Sequence, residues 1–242
     1  MRAWLIGLLM VLVTPSFAAS DYAREKKWAD EITPGIVVGD PVYIEQANKH
    51  KFLGIFTETS GAGMGLIVVH GIDIHPDWGM VGTLRQNLAD QGYTTLSIQM
   101  PILAVDAQSN AYGPTMPEAV ERLQLAANFL KAKGYKKIAI VSHSMGSRMS
   151  HEYMARNPAD IAAWASLGLG GKDSYAGIKA PILDLYGAND LPAVLKGAKK
   201  RAASLKSNPA SRQLALPDTD HFFAGKEEAM VKAVRDFLDS VK

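Results

Sequence analysis

The chain has 242 residues, 48% hydrophobic and 21% charged, with a formal net charge of +2. One hydrophobic core can serve a chain of up to about 250 residues, and this composition excludes a disordered or fibrous protein. The near-neutral charge calls for neither nucleic acid nor an acidic membrane surface as partner. The absence of cysteine removes disulfides, thiolate metal sites and cysteine nucleophiles together.

Residues 1–18 read as a signal peptide: Arg2, an apolar run from Leu5 to Val13, then Ser16-Phe17-Ala18 as a cleavage site. The run is shorter than the roughly 20 residues that span a bilayer, so export to the periplasm or medium is expected, with no stable membrane anchor after cleavage. Residues 19–242 then form one domain. Ser20 to Asp40 is polar, carries Pro34 and Gly35, and reads as an arm ordered on contact rather than as core. Val42 to Gln46 and Phe52 to Thr59 are rich in β-formers and end at Gly61-Ala62-Gly63, which predicts an antiparallel hairpin.

Beyond the hairpin, apolar strands alternate with helical segments, the pattern of a mainly parallel sheet covered on both faces. Strands are expected at Gly65–Val69, Thr94–Gln99, Lys137–Ser142, Ala163–Leu167, Ile182–Tyr186 and Gln213–Ala215. Helices are expected at Val81–Gln91, Met116–Lys133, Met145–Asn157, Pro192–Lys206 and Lys226–Val241. Thr115-Met116-Pro117-Glu118 reads as a capping box opening the second of these. The basic residues Lys196, Lys199, Lys200, Arg201 and Lys206 read as a solvated outer helix face. Only about ten residues, Gly171 to Ala180, separate two consecutive strands there, too few for an inserted lid.

The strongest local signal is Ile138-Ala139-Ile140-Val141-Ser142-His143-Ser144-Met145-Gly146. An apolar strand runs into small-x-Ser-x-Gly and then into a helix. A serine on such a sharp turn stands above the sheet at a helix N-terminus, where unpaired N–H groups favour negative charge. This segment resembles the nucleophile elbow of the α/β-hydrolases, with Ser142 where that family usually has glycine. The fold class expected is therefore α/β, with an N-terminal antiparallel hairpin and no lid.

A serine hydroxyl near its normal pKa needs a base within hydrogen-bond reach and a third group to hold that base. In the α/β-hydrolase fold these follow in the order Ser, Asp or Glu, His. Tyr186-Gly187-Ala188-Asn189-Asp190 resembles the family's acid loop, and Asp218-Thr219-Asp220-His221-Phe222-Phe223 its late histidine loop. Asp190 competes with two readings: a cap for the helix near Pro192, or displacement by Asp173 as the acid. Asp218 and Asp220 sit too close in sequence to His221 to orient it and are expected to shape its loop.

Two donors must hold the oxyanion of the tetrahedral intermediate. One is the N–H of Met145. The other is expected in His70-Gly71-Ile72-Asp73-Ile74-His75-Pro76-Asp77-Trp78, which resembles the oxyanion loop of many α/β-hydrolases and assigns the role to the N–H of Ile72. His70, His75, His143 and His151 lack a recognisable metal-ligand spacing, so neither metal nor cofactor is expected. The segment from Gly71 to Trp78, with Leu84–Ala89 and Thr95–Pro101, is similar to an uncharacterised family of exported bacterial α/β-hydrolase-like proteins, from about Gly65 to the C-terminus. Loop position suggests Trp78, Leu103 and Tyr112 at the entrance. The expected function is hydrolysis of an ester or related acyl bond in a small-molecule substrate. An acyltransferase, or a non-catalytic envelope binding or assembly protein on the same fold, stands as the alternative.

Overall fold

The computed structural model describes residues 20–172 and 174–241. The segment read as a signal peptide and the alternative acid Asp173 lie outside the described residues.

Eight strands form one sheet: β1 (Asp40–Glu45), β2 (Lys51–Thr57), β3 (Gly65–Val69), β4 (Thr94–Ile98), β5 (Ile138–His143), β6 (Ile161–Leu167), β7 (Ile182–Gly187) and β8 (Arg212–Leu216). Their order across the sheet is β1-β2-β4-β3-β5-β6-β7-β8. The β1–β2 and β2–β4 pairings are antiparallel and the remaining pairings parallel, so the hairpin read from the sequence forms the antiparallel edge. Every residue of β3, β4 and β5 is buried, as strands at the centre of a sheet covered on both faces must be.

Helices cover both faces. Ile67, Leu96, Ile140 and Trp164 pack with residues of α3 (Met116–Ala132) and α4 (Met145–Met154). Leu66, Val68, Val141 and Leu185 point the other way, into residues of α2 (Gly79–Asp90) and α6 (Glu227–Ser240). The period-two alternation of these strand residues divides the two cores. One further helix, α5 (Pro192–Leu205), follows β7. The loop from Gly168 to Pro181 carries no helix among its described residues, consistent with the short spacing and the absence of a lid.

Three local expectations need correction. First, the polar arm contains α1 (Tyr22–Ile32), capped by Asp21, whose side chain accepts the Arg24 N–H at 3.0 Å. It buries only Glu25 and Ala29, so it has no apolar stripe to betray it. Charge docks it: Glu25, 3% exposed, accepts from Arg122 on α3, and Ser20 Oγ donates to Glu118 at 2.6 Å. Second, the capping box does not form. Thr115 Oγ1 donates to the Tyr112 carbonyl, and the Glu118 carboxylate is taken by Arg122 and Ser20. Third, Arg201 leaves the solvated basic face and is fully buried, paired with Asp184 at 2.9 Å. Lys196, Lys199, Lys200 and Lys206 are exposed as expected.

Candidate active site

The candidate residues come together at the C-terminal edge of the parallel strands, where open α/β sheets place their ligand crevices. Ser144 follows β5, Asp190 follows β7, His221 follows β8 and Ile72 follows β3. Ser144 has φ 54° and ψ −118°, a left-handed conformation that costs a non-glycine residue of order 1–3 kcal/mol. Its N–H donates to the Leu167 carbonyl at 2.9 Å, which ties the turn to β6. A side chain at Gly146 would collide with the His70 carbonyl and with Val69, so the small residue after the elbow is a packing requirement.

Ser142 replaces the usual glycine without strain. Its hydroxyl accepts from the Trp164 indole at 2.8 Å and lies 3.1 Å from Ser147 Oγ, inside the sheet rather than in the site. The departure from the family pattern therefore fills a polar niche beneath the elbow.

His221 Nε2 lies 2.8 Å from Ser144 Oγ, and His221 Nδ1 lies 2.6 Å from Asp190 Oδ1. The carboxylate accepts from Nδ1–H, which leaves Nε2 free to accept the serine proton. Asp190 also accepts the N–H groups of Leu191 at 2.7 Å and Gly187 at 3.2 Å. Burial acts to raise the Asp190 pKa, but the hydrogen bond and charge of His221, with the two N–H donors, outweigh it and hold the carboxyl below its ordinary range. The helix-cap reading fails, because the N-cap of α5 is Leu191 and no side chain caps it.

The histidine loop is held from three sides. Asp220 accepts the N–H groups of Phe222 and Ala224 at 3.0 and 3.1 Å, the loop-shaping role expected of it. Gly187 has no side chain to obstruct the Thr219 and Asp220 carbonyls, and Gly168, at φ 58°, leaves room for the His221 ring. His143 Nε2–H donates to the His221 carbonyl at 2.9 Å, with the two rings 4.7 Å apart.

The loop after β3, read as the oxyanion loop, is equally constrained. His70 Nδ1–H donates to the Gly71 carbonyl at 2.8 Å, while its Nε2 accepts the Met100 N–H at 2.8 Å. In a trans peptide the C=O and N–H point in opposite directions, so fixing the Gly71 carbonyl also aims the Ile72 N–H. The next residue, Asp73, has φ 58° and pairs with Arg24 of α1, which also donates to the Leu103 carbonyl at 2.9 Å. The N-terminal helix thus braces the loop that carries one proposed donor. Met145 is the first residue of α4, where a helix leaves its N–H groups without intrahelical partners.

Ile72, Met145, Ser144 and His221 line one cavity of about 210 Å³. This is below the roughly 300 Å³ at which drug-sized pockets begin, so it suits a small group. Its other walls include Ser109, Arg148, Leu191 and Val194, which sequence reading did not single out. Arg148 lies one helical turn after Ser144, the one signal that could have found it. The suggested entrance residues lie elsewhere. Tyr112 is buried with its hydroxyl accepting the Leu103 N–H, Leu103 packs against one core, and Trp78 packs against the other and the Phe222 ring. A larger cavity of about 530 Å³ lies between α1 and the hairpin; it holds a His50–Glu25 pair at 3.0 Å but no serine among its described lining residues.

Among the described residues no group of three or more His, Asp or Glu side chains could hold a metal ion. His70 and His143 instead make the backbone bonds above. Burial holds both neutral, His70 lowered to about 3 and His143, helped by the neighbouring His221, to about 4. In the unfolded chain each returns to about 6.5, so below that value the unfolded state takes up protons that the folded state refuses. This stabilisation is complete above pH 6.5 and is lost as pH falls toward 4 and then 3, by several kcal/mol in all. Urea midpoints measured from pH 7 to pH 4 should fall steadily, and His143→Gln should flatten the slope.

The topology, with the elbow and loops in these positions, defines the α/β-hydrolase fold. Solved structures agree. A dienelactone hydrolase from Anabaena variabilis superposes with TM-score 0.68 at 18% identity, covering 83% of this chain and 98% of that one. An esterase from Pyrococcus furiosus gives 0.65 at 15% identity, with 83% and 91% covered. A serine hydrolase without lid from Xanthomonas campestris gives 0.63 at 14% identity, with 84% and 95% covered. At these identities the likeness establishes the fold. In sequence, residues 38–120 match the family described as "Protein of unknown function (DUF3530)". That match starts earlier than the resemblance expected from Gly65 and stops before the elbow. No curated protein matches the chain.

Proposed function

We propose that this protein is an exported serine hydrolase that cleaves an ester or related acyl bond of a small molecule. The observation that carries this reading is the continuous Ser144–His221–Asp190 hydrogen-bond chain, 2.8 and 2.6 Å long, on a serine with positive φ. A hydroxyl so placed within reach of a base favours turnover over a binding-only role. Ser144 Oγ attacks the substrate carbonyl carbon while His221 Nε2 takes the hydroxyl proton. The oxyanion is held by the N–H groups of Ile72 and Met145. The intermediate collapses, the C–O bond to the leaving group breaks, and the departing alkoxide receives the proton from His221. Water then attacks the acyl-enzyme with His221 again as base, releasing the carboxylic acid and regenerating Ser144. Asp190 keeps the imidazole in the correct tautomer and stabilises its charged form. These steps need no cofactor.

The fold shared with esterases and a lidless serine hydrolase supports the reaction class. The terminal pattern Arg2, Leu5–Val13, Ala18 supports export to the periplasm or medium. Among the described residues no helix is long and apolar enough to cross a membrane.

Hydrolysis of p-nitrophenyl esters from acetate to laurate, by protein beginning at Ala19, tests the reading. The small cavity predicts kcat/KM for acetate to butyrate at least about tenfold above laurate. Absence of hydrolysis across the whole series would oppose it.

A further inference from the structure

The cavity beside Ser144 carries an uneven charge. Among its described lining residues Arg148 is the one side chain with a permanent charge, and none is a carboxylate. With the described residues the guanidinium makes one hydrogen bond, from Nη1 to the Ser109 carbonyl at 3.3 Å, a long contact with a neutral acceptor. Arg148 Nε is buried without a hydrogen-bond partner. No ion pair joins Arg148 to any described residue, whereas Lys172 nearby is paired with Glu152 at 2.7 Å.

A buried guanidinium N–H without an acceptor is costly, and arginine's planar fork suits a carboxylate better than a lone carbonyl. The start of α4 adds its own positive potential to the same space. Structural bracing of the Ser109 loop would use Nη1 alone, whereas Nη2 makes no hydrogen bond with any described residue and is not enclosed, so it is the donor open to an anion in the cavity. Position fixes the geometry further: Arg148 N–H donates to the Ser144 carbonyl at 3.2 Å, placing the two residues one helical turn apart on the same face. Both residues line the same small cavity, so an anion held by Arg148 shares it with a carbonyl under attack by Ser144. The acyl group also stays on the serine through both halves of the reaction, while the leaving group departs after the first. A built pocket at this point therefore serves the acyl group.

Resting on the hydrolase reading, we propose that Arg148 is a specificity residue, and that the preferred substrates are esters of short dicarboxylic acids, whose free carboxylate pairs with its guanidinium. The acyl chain lies against Leu191 and Val194, between Ser144 and the charge.

Two measurements test this. The first is the ratio of kcat/KM for p-nitrophenyl hemiglutarate to that for p-nitrophenyl butyrate, in wild type, Arg148→Lys and Arg148→Met. The ratio should exceed one in wild type, fall at least about tenfold in Arg148→Met and stand between the two in Arg148→Lys. A residue that only braced the loop would change both esters together and leave the ratio alone, and that result would overturn the proposal. The second needs no turnover: glutarate binding by calorimetry, expected to weaken at least about tenfold in Arg148→Met. Hydrolysis of both esters with a flat ratio and no glutarate binding refutes the subsite but leaves the hydrolase reading intact. Glutarate binding that depends on Arg148, with neither ester hydrolysed, retains the anion site and refutes the hydrolase reading.

Discussion

Replacing Ser144 by alanine should lower kcat by about 10⁴-fold or more while leaving KM near its wild-type value. The serine makes its essential contribution only when its oxygen bonds to the substrate carbon, so ground-state binding is expected to survive its loss. What remains in Ser144→Ala is the oxyanion donors and positioning, which are present without a nucleophile. Asp190→Asn should fall by a similar factor, about 10⁴-fold, for a different reason. The carboxylate accepts from His221 Nδ1 at 2.6 Å while also accepting two backbone N–H groups. An amide offers one acceptor oxygen where the carboxylate serves three N–H donors, so it cannot satisfy them all, and it lacks the charge that stabilises the imidazolium formed when His221 takes the serine proton. Ser144→Ala should keep the wild-type urea midpoint within about 1 kcal/mol equivalent, and Asp190→Asn should lose no more than about 1–3 kcal/mol, the cost of one buried N–H left without an acceptor. A variant that loses activity and fold together would say nothing in favour of these roles. Full activity in Ser144→Ala would assign the reaction to another residue.

The largest effect on stability is expected at Arg122, far from the chemistry. Its side chain is fully buried, and its Nη2 lies 2.6 Å from Glu118 and 3.0 Å from Glu25, while Nε and Nη1 donate to Gln46 and the Gln99 carbonyl. Burial raises the Glu25 pKa and Arg122 pulls it back. Arg122→Met should therefore cost about 3–5 kcal/mol, because it strands acidic groups in the interior rather than because the pair itself is strongly favourable. The distinction is measurable. Adding Glu25→Leu to Arg122→Met should recover part of the loss, since the second change removes one of the stranded charges. A cost under about 1 kcal/mol for Arg122→Met would mean that α1 is held by other contacts. The same network links stability to function, because α1 carries Arg24 to the Asp73 side chain beside the proposed oxyanion donor.

Most of the sheet could be read because buried parallel strands are apolar on both faces. Gly65–Val69 and Ile138–Val141 show that as uninterrupted runs. Ser144, Asp190 and His221 were legible because each follows a strand and occurs in the chain order of a known constellation, and their spatial meeting follows from the parallel topology. The features that escaped are those whose cause lies far away in sequence. Helix α1 docks through Glu25 to a residue 97 positions later, and no local periodicity encodes that. Thr115 and Glu118 have the spacing of a capping box, yet Ser20 and Arg122 compete for the carboxylate and prevail. Arg201 reads as one more exposed cation until Asp184, buried in β7, is placed beside it. Arg148 likewise looks like an ordinary helical arginine, and only the assembled cavity reveals which way its face is turned.

The most direct test of the central claim is titration of the folded protein with a fluorophosphonate, followed by peptide mapping. The expected result is one phosphonyl group per chain, located on Ser144, and none after His221→Ala under the same exposure. Label at another residue, or none in folded protein beside a reacting control hydrolase, would contradict it.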